Sequence, residues 1–216
     1  MNRTDAPTKT RKFTRFTGFA AALATVAMMV APAAGMAAAP VKFGAKLNPT
    51  VQPSNSLPGL MCEHQTPGAA CTMIQNEAYG RPDGGHLAPK TGTIKKIRLI
   101  AGGPGSFKLQ IAKVQQATLF KTNKAKVVAN GPRISYSGQT EANEESGAYK
   151  VESFDVNVPV QKGQQLALRG NITSMIRCSS GGDNTLIYTP PLLAGSSFKP
   201  ATGSDGCWIL MEAVIR

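Results

Sequence analysis

The sequence predicts an all-β fold: an antiparallel β-sandwich, jelly-roll-like in plan, following an N-terminal signal segment. Three observations carry that prediction. Apolar and polar residues alternate in short runs, most clearly from Glu152 to Val160. Gly- and Pro-rich turns separate those runs, as at 102–105 and 130–132. No stretch beyond residue 39 repeats apolar residues at the helical period of about 3.6. Many short strands with such turns, and no crossover helices, describe a sandwich or barrel rather than a parallel sheet.

The elements follow in chain order. Arg3, Lys9, Arg11, Lys12 and Arg15 form a basic head, and 18–33 is almost wholly small and apolar. Small residues from Ala33 to Ala39 then offer a cleavage site. Basic, apolar and small, in that order, is a secretory leader, so residues 1–39 read as a signal peptide and the rest as secreted and extracellular. The apolar run is shorter than the ~20 residues of a comfortable span, so no stable membrane span is expected after cleavage. From Pro40 to Pro58 three X-Pro steps favour extended geometry, so 40–60 reads as an arm or linker and 61–216 as the sandwich domain.

Four cysteines, Cys62, Cys71, Cys178 and Cys207, lie beyond the leader. An even number in an exported chain reads as disulfides. Three connectivities exist, and the shortest loops give Cys62–Cys71 and Cys178–Cys207. A zinc site is the weaker reading, because no C-x-x-C occurs and neither His64 nor His86 has a second His at ligand spacing.

Strands are expected at Thr93–Ile100, across Phe107, Leu109 and Ile111, at Ala125–Ala129 and at Ile134–Tyr136. Asn130-Gly131-Pro132 is expected to close the third of these. The acidic stretch 139–147 reads as a long exposed loop. Glu152, Phe154, Val156, Val158 and Val160 share one parity, which is a half-buried strand. Gly163 in the following turn predicts a hairpin into Leu166-Ala167-Leu168. Short candidates at 175–178 and 185–188, and a last strand over 207–215 with apolar residues on both sides, bring the total to about eight.

Three stretches carry a resemblance: Leu87-Ala88-Pro89-Lys90-Thr91-Gly92-Thr93-Ile94, the run from Val156 to Leu168, and Leu210-Met211-Glu212-Ala213-Val214-Ile215. Together, over 87–216, they are similar to secreted β-sandwich proteins common in actinobacteria. The resemblance implies a fold and a compartment, and carries over no catalytic or ligand-binding residue.

Composition narrows the partners. The formal net charge of +12 falls to +8 once the leader's five basic residues and Asp5 are set aside. That balance favours an extracellular glycan or an anionic envelope polymer. No dense Arg/Lys block occurs, so nucleic acid is not expected. Lys90, Lys95, Lys96, Arg98, Lys108, Lys113, Lys121, Lys124 and Lys126 concentrate in 90–126. Alternation could gather them on one face as an anion-binding surface, or leave them as a solvated face that blocks edge pairing.

Catalytic signals are sparse. There is no G-x-S-x-G nucleophile elbow. His64 and His86 read as loop histidines. Asp183 and Asp205 lie in Gly-rich loops beside Cys178 and Cys207, and their carboxylates are the candidate oxygen ligands for Ca²⁺. Acids that favour turns for local reasons are the simpler reading, and the calcium-loop spacing is absent. Tyr136, Tyr149 and Tyr188 are the candidates for stacking on sugar rings, against the alternative of half-buried packing at strand ends. The leading expectation is a secreted, non-enzymatic sandwich that binds envelope or extracellular polysaccharide. A hydrolase using carboxylate chemistry and a structural or adhesion domain without a small ligand are the alternatives.

Overall fold

The computed structural model describes residues 39–48, 62, 69–81, 84–117, 122–171, 176–178 and 182–216, with the backbone alone for 144 and 176–178. All but the last residue of the expected signal segment, and the expected arm beyond Asn48, lie outside the described residues. The strands in chain order are β1 (Val41–Gly44), β2 (Cys71–Gln75), β3 (Gly92–Leu99), β4 (Gly105–Gln115), β5 (Lys124–Tyr136), β6 (Glu152–Val160) and β7 (Gln165–Gly170). After these come β8 (Ile176–Cys178), β9 (Thr185–Tyr188), β10 (Lys199–Pro200), β11 (Gly203–Asp205), β12 (Cys207–Ile209) and β13 (Met211–Ile215). One short helix, α1 (Glu141–Ser146), lies between β5 and β6.

The strands form two main antiparallel sheets. One has four strands in the order β1-β13-β3-β6, and the other seven in the order β10-β5-β4-β7-β2-β9-β11. β12 and β8 pair separately. Alternation sets what lies between the sheets. Phe43, Ile94, Ile97, Leu99, Val158, Val160, Met211, Ala213 and Ile215 point inward from the smaller sheet. Met73, Phe107, Leu109, Ile111, Ile134, Leu166, Leu168 and Ile187 meet them from the larger. The parity expected of β6 holds: Val158 and Val160 are buried, Phe154 and Val156 pack against the core, and the alternate residues are exposed.

The seven-stranded sheet is curled. Its edge strands β10 and β11 are joined by Ala201 and Thr202 alone. Their near ends therefore lie within about 11 Å of each other, by the spacing of consecutive Cα atoms. Seven strands laid flat would span about 29 Å. The sheet closes the difference as a half-barrel, and the segment 189–198 crosses its inner face. There Ile74, Ala112, Ala125, Val127, Ala167, Leu186, Tyr188 and Leu192 make a second, smaller core.

Several expectations need correction. Val41–Gly44, inside the stretch read as an arm, is an edge strand of the smaller sheet: it pairs with β13 and buries Phe43. The acidic loop contains α1, which starts where the Thr140 Oγ1 accepts from the Asn143 N–H at 3.3 Å. That N-terminal cap lets a polar segment with no apolar stripe complete a turn and a half. Residues 207–215 are two strands, with Leu210 turning out of the central core into a cluster with Ala45, Ile100 and Tyr149.

Asn130-Gly131-Pro132 does not end a strand. β5 runs straight through it, and the register against β4 shifts there by one residue. This is a β-bulge, a place where a proline without an N–H is tolerated. A Cβ on Gly131 would lie 3.0 Å from side-chain atoms of Leu109 and Val158, a tight fit that a larger residue would meet only by displacing them.

The expected β6–β7 hairpin is absent. β6 pairs with β3 and β7 with β4 and β2, in different sheets. The turn between them is pinned from outside: the Gly163 N–H donates to the Ala88 carbonyl, and the Ala88 N–H to the Gln164 carbonyl, both at 2.8 Å. Lys162 N–H donates to Thr91 Oγ1 at 3.1 Å. Val158 and Val160 on one side and Leu166 and Leu168 on the other face the same core, so the turn folds the chain over the edge of the sandwich.

Cys62 and Cys71 are disulfide-bonded, closing a loop whose constraint on the unfolded chain is worth about 2.7 kcal/mol. Cys207 is also disulfide-bonded, and the register of β12 with β8 sets it opposite Cys178, whose side chain lies outside the described residues.

Glu152 fixes the start of the 137–150 connection. Its carboxylate accepts from the Ser137 and Gly138 N–H groups, at 3.1 and 2.8 Å, and from Ser137 Oγ at 3.0 Å. Gly138 has φ +74°, and a Cβ there would strike the Gly103 backbone at 2.4 Å. Burial pushes the Glu152 carboxyl up, but these hydrogen bonds and the Lys150 charge together outweigh it and hold it below its ordinary 4.5. A depressed carboxyl adds stability above the unfolded value, and that stability is lost as pH falls through the folded one. The urea midpoint is therefore expected to decline as pH drops below about 4.5. Glu152→Gln is expected to flatten that decline, measured as midpoint against pH. An unchanged slope in the variant would remove Glu152 from the account.

Candidate functional site

The inner face of the half-barrel is built by alternation. Lys108 sits between Phe107 and Leu109, Arg133 precedes Ile134, and Arg169 follows Leu168, so core residues on one face put all three cations on the other. Register then brings them together. Lys108 lies opposite Arg133 on β5 and opposite Arg169 on β7. The row continues through Thr72 on β2 to Tyr188 on β9. Strand spacing places the Cα atoms of the three cationic residues within about 10 Å. Lys108 and Arg133 are exposed and Arg169 is half-buried.

Like charges on adjacent strands repel. Among the described residues no carboxylate forms an ion pair with any of the three. Arg133 donates to a neutral partner, the Ser106 hydroxyl, from Nε at 3.2 Å and Nη2 at 2.9 Å. What this arrangement can do chemically is hold negative charge: one guanidinium is already oriented, and the concave wall focuses the field.

One end of the row is walled by the crossing segment, and a ring of hydrogen bonds fixes that wall. The Leu192 N–H donates to Thr72 Oγ1 at 3.0 Å, and Thr72 Oγ1 donates to Gln110 Oε1 at 3.1 Å. Gln110 Nε2 donates to the Leu192 carbonyl at 3.2 Å and to Asn130 Oδ1 at 3.0 Å. Thr72 and Gln110 are fully buried, so these bonds are shielded from water.

A second charged cluster lies on the outer face of the four-stranded sheet. Glu212 is buried there and receives three cations: Arg81 Nη2 at 2.7 Å, Arg98 Nη1 at 2.8 Å and Lys42 Nζ at 3.3 Å. Arg81 Nε also donates to the Gly44 carbonyl at 2.5 Å. These cations are committed to an internal carboxylate, and the cluster ties the turn at 79–81 to the sheet.

The residues singled out from sequence are placed as follows. Tyr136 is buried against Phe107, with ring centroids 6.1 Å apart. Tyr149 is buried in the cluster around Leu210, and Tyr188 in the inner core of the half-barrel. Their rings are walls of cores rather than a surface platform, because each sits at a core-facing strand or turn position. Burial pushes the Tyr188 phenol above its usual range. Asp183 Oδ1 accepts from Ser204 Oγ at 2.6 Å, a bond across to β11, and Asp205 Oδ1 accepts from the Cys207 N–H at 3.1 Å, a local turn bond. No group of three His, Cys, Asp or Glu among the described residues is placed to hold a metal such as Ca²⁺.

The basic residues of 90–126 do not share one face. Lys96 and Arg98 pair with Asp155 and Glu212 on the smaller sheet, whereas Lys108 belongs to the larger. Arg133 and Arg169, outside that stretch, complete the row instead. The signal that could have found them was their parity beside Ile134 and Leu168. No family model, no curated protein and no solved structure matches the chain.

Proposed function

We propose that the protein is an exported, non-catalytic module that holds an anionic polymer of the cell envelope along Arg133, Lys108 and Arg169. The observation that carries this reading is the row itself: three cations on adjacent strands, two exposed and one half-buried, with no carboxylate paired to them among the described residues. Without a ligand the like charges of such a row repel one another. The basic head and apolar run of 1–39 support export, and the oxidised cysteines fit that compartment. Strands that change sheet from β3 to β4, from β5 to β6 and again from β6 to β7 support a jelly-roll-like plan.

The test is titration of the protein with polyphosphate, polygalacturonate and neutral dextran across a salt series. Both polyanions are expected to bind, with affinity falling as salt rises, and dextran is not. The Lys108→Gln, Arg133→Gln, Arg169→Gln triple variant is expected to lose about 100-fold in affinity, at about 1 kcal/mol per cation. Its thermal midpoint is expected to hold or rise, because repulsion within the row is relieved. A triple variant that binds polyanions as the parent does would sink the proposal, as would equal binding of dextran.

A further inference from the structure

A different part of the chain carries a second site. Between Tyr188–Leu193 and Ser196–Thr202 lies a cleft of about 400 Å³, lined by Tyr188, Pro190, Pro191, Leu192, Leu193 and Pro200, with Lys199 its charged residue. That volume lies within the ~300–1,000 Å³ of typical ligand pockets. None of the three cations Lys108, Arg133 and Arg169 lines it.

The walls are held before any ligand arrives. Leu192 is tied to Thr72 and Gln110, and the Gly195 N–H donates to the Val127 carbonyl at 3.2 Å. Thr202 joins the two walls: its Oγ1 accepts from the Thr189 N–H at 2.9 Å and donates to the Ile187 carbonyl at 3.0 Å. Ser196 Oγ donates to the Leu193 carbonyl at 2.7 Å. The hydroxyls of Tyr188 and Thr189 are themselves buried. The polar atoms of the lining are thus spent or hidden, and what faces a ligand is hydrocarbon. A sugar, which needs several hydrogen-bond partners, does not fit such a wall.

Charge at the rim is positive. Lys199 is exposed, the adjacent Pro200 lies opposite Lys124 on β5, and the Lys126 ammonium sits 4.9 Å from the Phe198 ring centroid. Among the described residues none of these three lysines is in an ion pair. Leu193, at the cleft's edge, is 58% exposed, the most exposed large apolar side chain described. An apolar slot with one cation at its lip and more beside it matches one chemistry. We propose that the cleft binds the hydrocarbon chain of a single-chain amphiphile, and that Lys199 receives its anionic head group.

Calorimetric titration with dodecanoate, dodecanol and dodecyltrimethylammonium, each below its micelle threshold, tests this with one tail and three head groups. Dodecanoate is expected to bind about fivefold more tightly than dodecanol, the scale of one partly exposed ion pair, and the cation more weakly than both. Lys199→Ala is expected to bring dodecanoate down to the dodecanol level and leave dodecanol unchanged. Leu193→Asp, at an exposed position that does not threaten folding, is expected to weaken dodecanoate and dodecanol together. The triple variant of the cationic row is expected to retain dodecanoate binding. Absence of binding by all three compounds would overturn the proposal. So would a cation that binds as well as dodecanoate, or dodecanoate affinity untouched by Leu193→Asp.

Discussion

Glu212→Ala is expected to cost about 3 kcal/mol of folding free energy, and to lower the thermal midpoint by roughly 6–12 °C. The carboxylate is 4% exposed and receives Arg81, Arg98 and Lys42. Its removal leaves three cations around one spot with nothing to balance them. Breaking a buried ion pair by deleting one partner costs about 3–5 kcal/mol. The lower end applies here, because the cations keep 22–43% of their side chains in contact with solvent and can rehydrate. Glu212 also lies opposite Gly44 and Arg98 in neighbouring strands, so the loss loosens β1 as well as the turn that Arg81 holds. Urea unfolding of the single and paired variants gives the measurement. Arg98→Met added to Glu212→Ala is expected to recover part of the loss, since it removes one stranded cation. A loss below about 1 kcal/mol would mean that the cluster behaves as an ordinary surface ion pair.

Phe107→Ala is expected to cost more, about 4 kcal/mol. Phe107 is 1% exposed and lies where the two sheets meet. Tyr136, its ring neighbour, is attached to β5 and has no route to collapse into the space left behind. Transfer and cavity terms therefore add rather than relax away. Phe107→Leu keeps most of the volume and is expected to cost less than half as much. Equal losses for the two variants would show that the ring's stacking, rather than its bulk, is what the core uses. A loss below 1.5 kcal/mol for Phe107→Ala would mean that the sheets are not packed through this side chain, and the sandwich would need redrawing.

Parity was the legible quantity in this chain. Glu152 to Val160 could be assigned a buried and a wet face from sequence, and both faces stand. So could the side of Cys207, Ile209, Met211, Ala213 and Ile215, all of which reach the central core. Glu212, on the other side of that run, gave no such signal. A lone acid between apolar residues reads as exposed until Arg81, Arg98 and Lys42 are seen to converge on it from three separate segments. Gly163 misled for a related reason. A turn glycine reports that the chain reverses, and reversal serves a hairpin and a crossing between sheets equally well. The bonds that decide between them come from Ala88 and Thr91, more than seventy residues earlier.

The candidate site divides in the same way. Lys108, Arg133 and Arg169 each declare a solvent-facing position through the apolar residue beside them, but nothing in the local sequence says that they are neighbours. Clustering along the chain pointed instead to the lysines of 90–126, which the fold distributes over two sheets. The cleft at 188–202 was invisible, because its walls are loop residues whose places depend on Thr72, Gln110 and Val127.

From sequence alone come the all-β class, the positions of most strands, the face each strand buries and the Cys62–Cys71 bond. These are short-range properties: side-chain direction alternates every residue, and a nine-residue separation closes a loop cheaply. Strand order, the curl of the larger sheet, the three cations on Glu212 and the basic row were decided only by tertiary structure. They depend on register between segments far apart in the chain, and register is set when distant apolar faces are buried together, a choice that no single segment encodes.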